Sequence, residues 1–198
     1  MNQWPKHDQK LKLADSWVRD LDAAMGFVTD TSTCIQAGGA AGLWPAYLSK
    51  HFDRVYTFEP EHENFACLVA NCPQENIIKM QAALGCTRGQ VSLNLHTAEQ
   101  HNAGAWYATP DGNIPILQID DLGLDEVGFI QLDIEGSELN ALMGAVETVK
   151  RCGPVVMLEE KPLPQGGIDP SAARKWLEWY GYKVAGRVHN DVIMARKC

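Results

Sequence analysis

Short apolar strand-like runs alternate with amphipathic helical segments along almost the whole chain, and this alternation constrains the fold more than any other feature. TCIQA (33–37), RVYTF (54–58), NIIKMQAAL (76–84), QVSLNLH (90–96), IPILQID (114–120), GFIQLDI (128–134) and VVMLEE (155–160) read as strands, rich in β-branched and apolar residues. Residues 43–51, 61–71, 137–152 and 171–181 read as helices. Pro45 suits the first turn of its helix, where the N–H groups lack partners anyway, and Gly153-Pro154 ends the third helix. Runs such as VVML are apolar at every position, as strands covered on both faces require. The pattern predicts an α/β fold with a mostly parallel sheet and helices on both of its faces. YKVAGRV and DVIMARK, turning near His189-Asn190, predict a closing antiparallel hairpin at one sheet edge.

The chain of 198 residues suits one domain, with no internal repeat or linker to divide it. Residues 1–31 read as a helical lead-in, with Trp17, Val18, Leu21 and Met25 at helical spacing, and residues 32–198 as the α/β core. Residues 97–113 form the longest stretch without periodicity, a polar segment that carries Trp106 and Tyr107 and is a candidate recognition loop. PLPQGG (162–167) is a second such loop.

Charge and cysteine content narrow the function. Seventeen basic against 25 acidic side chains leave a net charge of −8, which opposes a phosphate backbone and excludes a simple nucleic-acid binder. No apolar stretch reaches the length of a membrane span, and the N-terminus has no apolar run behind its charges, so neither a membrane partner nor a signal peptide is expected. The six cysteines are scattered without a C-x-x-C pair. Cys67 with Cys72, and His96 with His101, are isolated pairs, so no structural metal is expected and the chain is assigned to a reducing cytoplasm.

Two constellations carry candidate chemistry. In CIQAGGAAGLW, Gly38, Gly39 and Gly42 let the backbone approach a ligand closely, ahead of a helix N-terminus whose free N–H groups suit an anionic group. Glu59 ends the next strand twenty residues after Gly39, where an acid can accept hydrogen bonds from ribose hydroxyls. The same glycines could instead serve only helix–sheet packing. In FIQLDIEGSELNAL, the strand delivers Asp133 and Glu135 at its end, on one face. Carboxylates placed there need a ligand, a cation or donors to offset their burial, unless Glu135 and Glu138 are simple N-terminal helix charges. The pattern leaves two adenosine-type cofactors open. A nicotinamide dinucleotide is disfavoured because Ala37 breaks the G-x-G-x-x-G fingerprint and no Tyr-x-x-x-Lys pair occurs.

IQAGGAAG, YTFEPEHENFACLVAN, QAALG and DDLGLDEVGFIQLDIEGSELNALMGA together resemble the FkbM-type S-adenosylmethionine-dependent methyltransferases, over roughly residues 34–161. The resemblance implies a Rossmann-like class I methyltransferase fold with a seven-stranded sheet, and O-methylation of a hydroxyl on a sugar or other small metabolite. Position by position it implies cofactor contacts at Gln36, Gly38, Gly39, Gly42, Glu59, Gln81, Ala82 and Asp133, with Asp133 and Glu135 facing the methyl-transfer site. Family members commonly carry Asp at position 36 and Asn at position 40, where this chain has Gln36 and Ala40. Those departures motivate a degenerate, non-catalytic binding module as one alternative, beside a nicotinamide-dependent oxidoreductase. Asp133 or Glu135 is the expected general base, with His96, His101 and His189 behind them, and the two carboxylates could instead orient a diol through a divalent cation.

Overall fold

The computed structural model describes residues 2–6, 17–95, 106–162 and 169–196. His96, His101, residues 97–105 and residues 163–167 of the second expected loop lie outside them. The chain enters through a 3-10 turn, Trp17–Asp20, and α1 (Leu21–Met25). Then follow β1 (Thr33–Ala37), α2 (Leu43–Leu48), β2 (Arg54–Phe58), α3 (His62–Asn71), β3 (Ile77–Met80) and β4 (Ala83–Leu84). Next come β5 (Gly89–Leu95), β6 (Trp106–Pro110), β7 (Ile114–Leu117), β8 (Phe129–Leu132), α4 (Glu138–Met143), α5 (Val146–Cys152) and β9 (Val155–Glu159). The described chain ends with α6 (Ala172–Trp179), β10 (Tyr182–Val188) and β11 (Asp191–Arg196).

Seven strands form the main sheet in the order β3-β2-β1-β8-β9-β11-β10. β1, β2, β3, β8 and β9 pair in parallel, and the β10–β11 hairpin joins β9 antiparallel. The expected layout is therefore the observed one, including the turn at His189-Asn190. Strand order runs outward in opposite directions from β1 and β8, and the crevice beyond their carboxyl ends is where sheets of this kind hold ligands.

Strand periodicity divides the core into two layers. Ile35, Ile130, Leu132, Val156, Leu158, Val192 and Met194 face Ala141, Leu142, Val149 and Leu177 of α4, α5 and α6. The intervening Cys34, Phe129, Val155, Met157 and Ile193 face Val18, Leu21, Leu48 and Phe52, from the lead-in and the α2 region. Each fully buried Leu or Ile contributes about 1.5–3 kcal/mol, and this two-sided burial explains the unbroken apolar runs of β8 and β9. Among the described residues no helix is long and apolar enough to cross a membrane.

Three expectations change. The run 76–84 is not one strand: β3 belongs to the main sheet, while β4 pairs with β7 in a separate four-stranded sheet of order β4-β7-β5-β6. Trp106 and Tyr107, expected in a loop, lie in β6, whose backbone pairs antiparallel with β5. The run 137–152 is two helices, interrupted at Gly144 and Ala145. There the Asp120 carboxylate accepts from the N–H groups of Glu147 and Thr148, at 3.0 and 2.9 Å, and from the Thr148 hydroxyl at 2.8 Å. A carboxylate from a distant segment thus caps α5, work that a continuous helix would not need.

Candidate functional site

The carboxyl ends of β1, β2, β8 and β9 open into a cavity of about 580 Å³. Ala37, Gly38, Ala40, Phe58, Glu59, Asn64 and Ala82 form one part of its lining, and Gln131, Asp133, Glu135, Glu159, Lys161 and Asp191 another. Leu84, Val91, Leu93 and Ile116 of the small sheet add an apolar wall, and Asp20 and Leu21 bring in the lead-in.

The turn after β1 is held by backbone and side chain together. The Gly38 and Gly39 N–H groups both donate to the Phe58 carbonyl, at 3.1 and 3.0 Å. Gly38 sits at φ +85°, and a Cβ there would lie 2.0 Å from the Asp133 carbonyl oxygen, so only glycine lets the ends of β1 and β8 meet this closely. Gly42, at φ +94°, packs on Cys72, and Gly39 packs on Leu68 and Thr57. Gly39 and Gly42 therefore seat the turn on α3 and the end of β2 and are not part of the cavity lining.

Glu59, 5% exposed, reaches across this turn. One carboxylate oxygen accepts the Ala40 N–H at 2.7 Å and the other accepts the Glu61 N–H at 2.8 Å. Burial pushes its pKa from 4.5 up to about 7, against the opposing pull of those two bonds. Gln36 is fully buried behind the turn: its Nε2 donates to the Gly38 carbonyl at 3.0 Å and its Oε1 accepts from the Thr57 hydroxyl. Both ends of the amide are engaged with protein, and Gln36 does not line the cavity. Gln81 is exposed and also lies outside the lining, whereas its neighbour Ala82 is buried and within it.

Asp133, Glu135 and Glu159 each place one oxygen within 4.8 Å of the others. The Lys161 ammonium lies 3.1 Å from Glu135 and 2.8 Å from Glu159. Burial, followed by the charge of Glu135, raises Asp133 above the usual carboxylate range, with Lys161 opposing. Burial and then Asp133 raise Glu159 in the same way. Burial disfavours the Lys161 charge, but Glu159, Glu135 and Asp133 outweigh it and hold the ammonium firmly protonated. Asp191 is pushed from 3.8 up to about 7 by burial, then by Asp133 and Asp20. Glu135 itself has φ +51°, an uncommon conformation for a residue with a Cβ, and strained backbone of this kind clusters at functional sites.

Other expected residues have structural partners. Glu138 turns back to accept the N–H groups of Ile134 and Gly136, at 3.1 and 3.3 Å, and so braces the turn that carries Glu135. Glu160 pairs with Arg174 and Arg187, at 2.8 and 2.9 Å, outside the cavity lining. His189 lines the cavity and lies 3.0 Å from Asp20. Sequence reasoning did not single out Lys161, Asp191, Gln131 or the small sheet's apolar wall. Lys161, two residues past Glu159 beyond the end of β9, was the one signal available for that group, while Asp191 required the β11 register.

Residues 37–184 match the methyltransferase FkbM domain. Solved structures with similar folds include a methyltransferase FkbM from Methylobacillus flagellatus KT, at 19% identity and TM-score 0.59, covering 83% of this chain and 43% of that one. This chain thus spans less than half the length of that protein. A precorrin-6y C5,15-methyltransferase from Geobacter metallireducens is 17% identical with a TM-score of 0.56, covering 100% and 94% of the two chains. A ribosomal protein L11 methylase from Lactobacillus delbrueckii subsp. bulgaricus is 11% identical with a TM-score of 0.50, covering 93% and 79%. Identities this low speak for the fold alone, which is the class I methyltransferase fold, and no protein of curated function matches the chain. The domain match, which runs from the end of β1 into β10 and covers well over half the chain, shows that this protein belongs to the FkbM methyltransferase family.

Proposed function

We propose that this chain transfers a methyl group from S-adenosylmethionine to a hydroxyl of a sugar or other small metabolite. The observation that carries this reading is the cavity at the ends of β1, β2 and β8, with Glu59 in one part of its lining and Asp133 and Glu135 in another. Its volume of about 580 Å³ falls in the range of small-molecule sites.

The lining suits the cofactor's parts. Each Glu59 oxygen holds one backbone N–H, the Asn64 side chain adds a further hydrogen bond, and the carboxylate keeps lone-pair capacity for a ribose hydroxyl. Phe58, Pro60, Ala82 and Ala83 offer apolar surface for an adenine ring, and Gly38 lets it pass without a side chain in the way. Gln36, Gly39 and Gly42 act by holding that turn in shape, and Gln81 takes no direct part. Asp133 and its acidic neighbours favour a cationic sulfonium and ammonium. When bound, S-adenosylmethionine supplies an electrophilic methyl group, and the protein supplies position and proton transfer. Asp133 and Glu135 face the place where an acceptor oxygen would enter, and either carboxylate can take the hydroxyl proton. The acidic lining repels phosphate, which supports a small neutral or cationic acceptor over a nucleic acid. Five free cysteines among the described residues support a reducing cytoplasm.

Calorimetric titration with S-adenosylmethionine, S-adenosylhomocysteine and NAD tests the reading. Binding of the first two is expected, and binding of NAD alone overturns it. Binding of none favours a non-catalytic module. Mass spectrometry of a metabolite or glycan extract treated with enzyme and labelled cofactor then identifies the acceptor.

A further inference from the structure

The wall built by β8, β9 and β11 gathers several carboxyl groups at one end of the sheet. Asp191 stands opposite Glu159 in register, and Asp133 follows Leu132, the partner of Leu158, so three carboxylates lie side by side across adjacent strand ends. Like charges placed opposite one another are unfavourable, and among the described residues Lys161 is the one cation that pairs with the group, through Glu135 and Glu159. Among the described residues no ion pair reaches Asp133 or Asp191. Oxygens bound to one Ca²⁺ at roughly 2.3–2.6 Å stand at most roughly 4.6–5.2 Å apart, and the shorter bonds of Mg²⁺, roughly 2.0–2.1 Å, ask the oxygens to draw in by roughly half an ångström more. The 4.8 Å spread of the Asp133, Glu135 and Glu159 oxygens meets the Ca²⁺ condition with little movement.

A second, independent observation points the same way. Gln131 precedes Asp133 by two residues on the same face of β8 and lines the same cavity at 6% exposure. Among the described residues its Oε1 has no hydrogen-bond donor. A buried amide oxygen without a donor is costly, and the Lys161 ammonium in this lining is held by Glu135 and Glu159 instead. A hydrated cation brings both missing parts, charge for the carboxylates and water protons or a metal bond for the amide oxygen. Carboxylate and amide oxygens are hard ligands, and no cysteine or histidine belongs to the set, which selects against soft metals.

We propose that Asp133, Glu135 and Glu159, with Gln131 behind them, bind a hard divalent cation, Mg²⁺, Mn²⁺ or Ca²⁺. The ion displaces Lys161 from the carboxylates and holds the acceptor's hydroxyl oxygens beside the transfer site. That role rests on the methyl-transfer reading, whereas binding of the ion does not. The test is calorimetric titration of the chelator-treated full chain with each of the three metal chlorides, without cofactor. Saturable one-site binding of at least one ion is expected. Glu159→Gln weakens it by about tenfold or more, Gln131→Leu weakens it in the same direction, and Lys161→Met tightens it by removing a competing ammonium. Circular dichroism verifies that each variant is folded, and Lys161→Met keeps the test decisive if Glu159→Gln is not. Absence of binding at millimolar concentrations of all three ions overturns the site, as does binding that Glu159→Gln and Lys161→Met leave unchanged. S-adenosylhomocysteine titrated in parallel separates the two readings. A chain that binds it but no cation loses only the ion site, and one that binds cation but no adenosyl ligand loses only the methyltransferase reading.

Discussion

The Glu59 carboxylate, at the end of β2, holds the Ala40 N–H at 2.7 Å and so fixes a turn nineteen residues earlier in the chain. The second oxygen holds the Glu61 N–H at 2.8 Å, so one buried side chain ties the glycine turn to the start of α3. Its position makes it both a support of the turn and part of the cavity lining.

Glu59→Ala is therefore expected to act twice. Loss of two charge-assisted bonds lowers stability by about 1.5–3 kcal/mol for each bond. Affinity for S-adenosylhomocysteine falls by a further 1–3 kcal/mol, roughly five- to 150-fold. Urea denaturation measures the first effect and calorimetry the second. Unchanged affinity in a folded variant would show that the ribose is held elsewhere.

The raised pKa of Glu59 sets the sign of a pH effect. The folded state keeps its proton up to about 7, whereas the unfolded chain releases it near 4.5. Between those values the folded state binds more protons, so this group's contribution to stability falls as pH rises from 4.5 to 7. Glu138 and Asp191 are also raised and contribute with the same sign, so the readout is the difference between wild type and Glu59→Gln. That difference should slope across pH 4.5–7 and flatten above it. A ligand that donates hydroxyl protons to Glu59 requires the ionised form, so cofactor affinity is expected to rise with pH up to about 7. A flat profile in both measurements would place the Glu59 pKa near its ordinary value.

At the turn itself, Gly38→Ala places a Cβ 2.0 Å from the Asp133 carbonyl oxygen while demanding φ +85°. The conformation alone costs about 1–3 kcal/mol, and relief of the clash requires β1 and β8 to separate. The expected outcome is a large drop in thermal midpoint together with loss of cofactor binding. Gly123→Ala, also at positive φ but with open space around its Cβ position, should show a smaller drop and intact binding.

Asp120→Ala removes three hydrogen bonds that start α5 and should cost about 1–2 kcal/mol in urea denaturation. Its neighbour Asp121 pairs with the exposed Arg88 at 2.7 Å, and its replacement by alanine should leave the denaturation midpoint nearly unchanged. Equal effects from the two variants would refute the capping role.

Glu135→Gln tests the proton-transfer assignment. Methyl-transfer turnover should fall by about 10²- to 10⁴-fold, while S-adenosylhomocysteine affinity stays within about threefold. Retained turnover in this variant and its loss in Asp133→Asn would assign the base to Asp133.

Local pattern was enough to determine the doubly wound sheet, because β8 and β9 are apolar at consecutive positions and helices of matching period stand between the strands. The closing hairpin was legible for the same reason, as were the glycine turn and the acids Glu59, Asp133 and Glu135 at strand ends. What the tertiary structure alone decided is which of those residues meet. Two-residue β4 has no periodicity of its own and exists only because β7 pairs with it, so although β5 and β7 were legible as strands, their gathering with β4 and β6 into a separate sheet with an apolar wall was not. Nothing near Gly144 announces that Asp120 will cap α5. Gln36 and Gln131 sit at paired positions on β1 and β8, yet one amide is fully engaged behind the turn and the other leaves an oxygen without a donor. Asp191 joins Glu159 only through the register of β11 on β9. Spacing along the chain assigns a residue to a face and an end of its strand; strand pairing, burial and the reach of individual side chains settle its partners, and those depend on contacts between residues far apart in sequence.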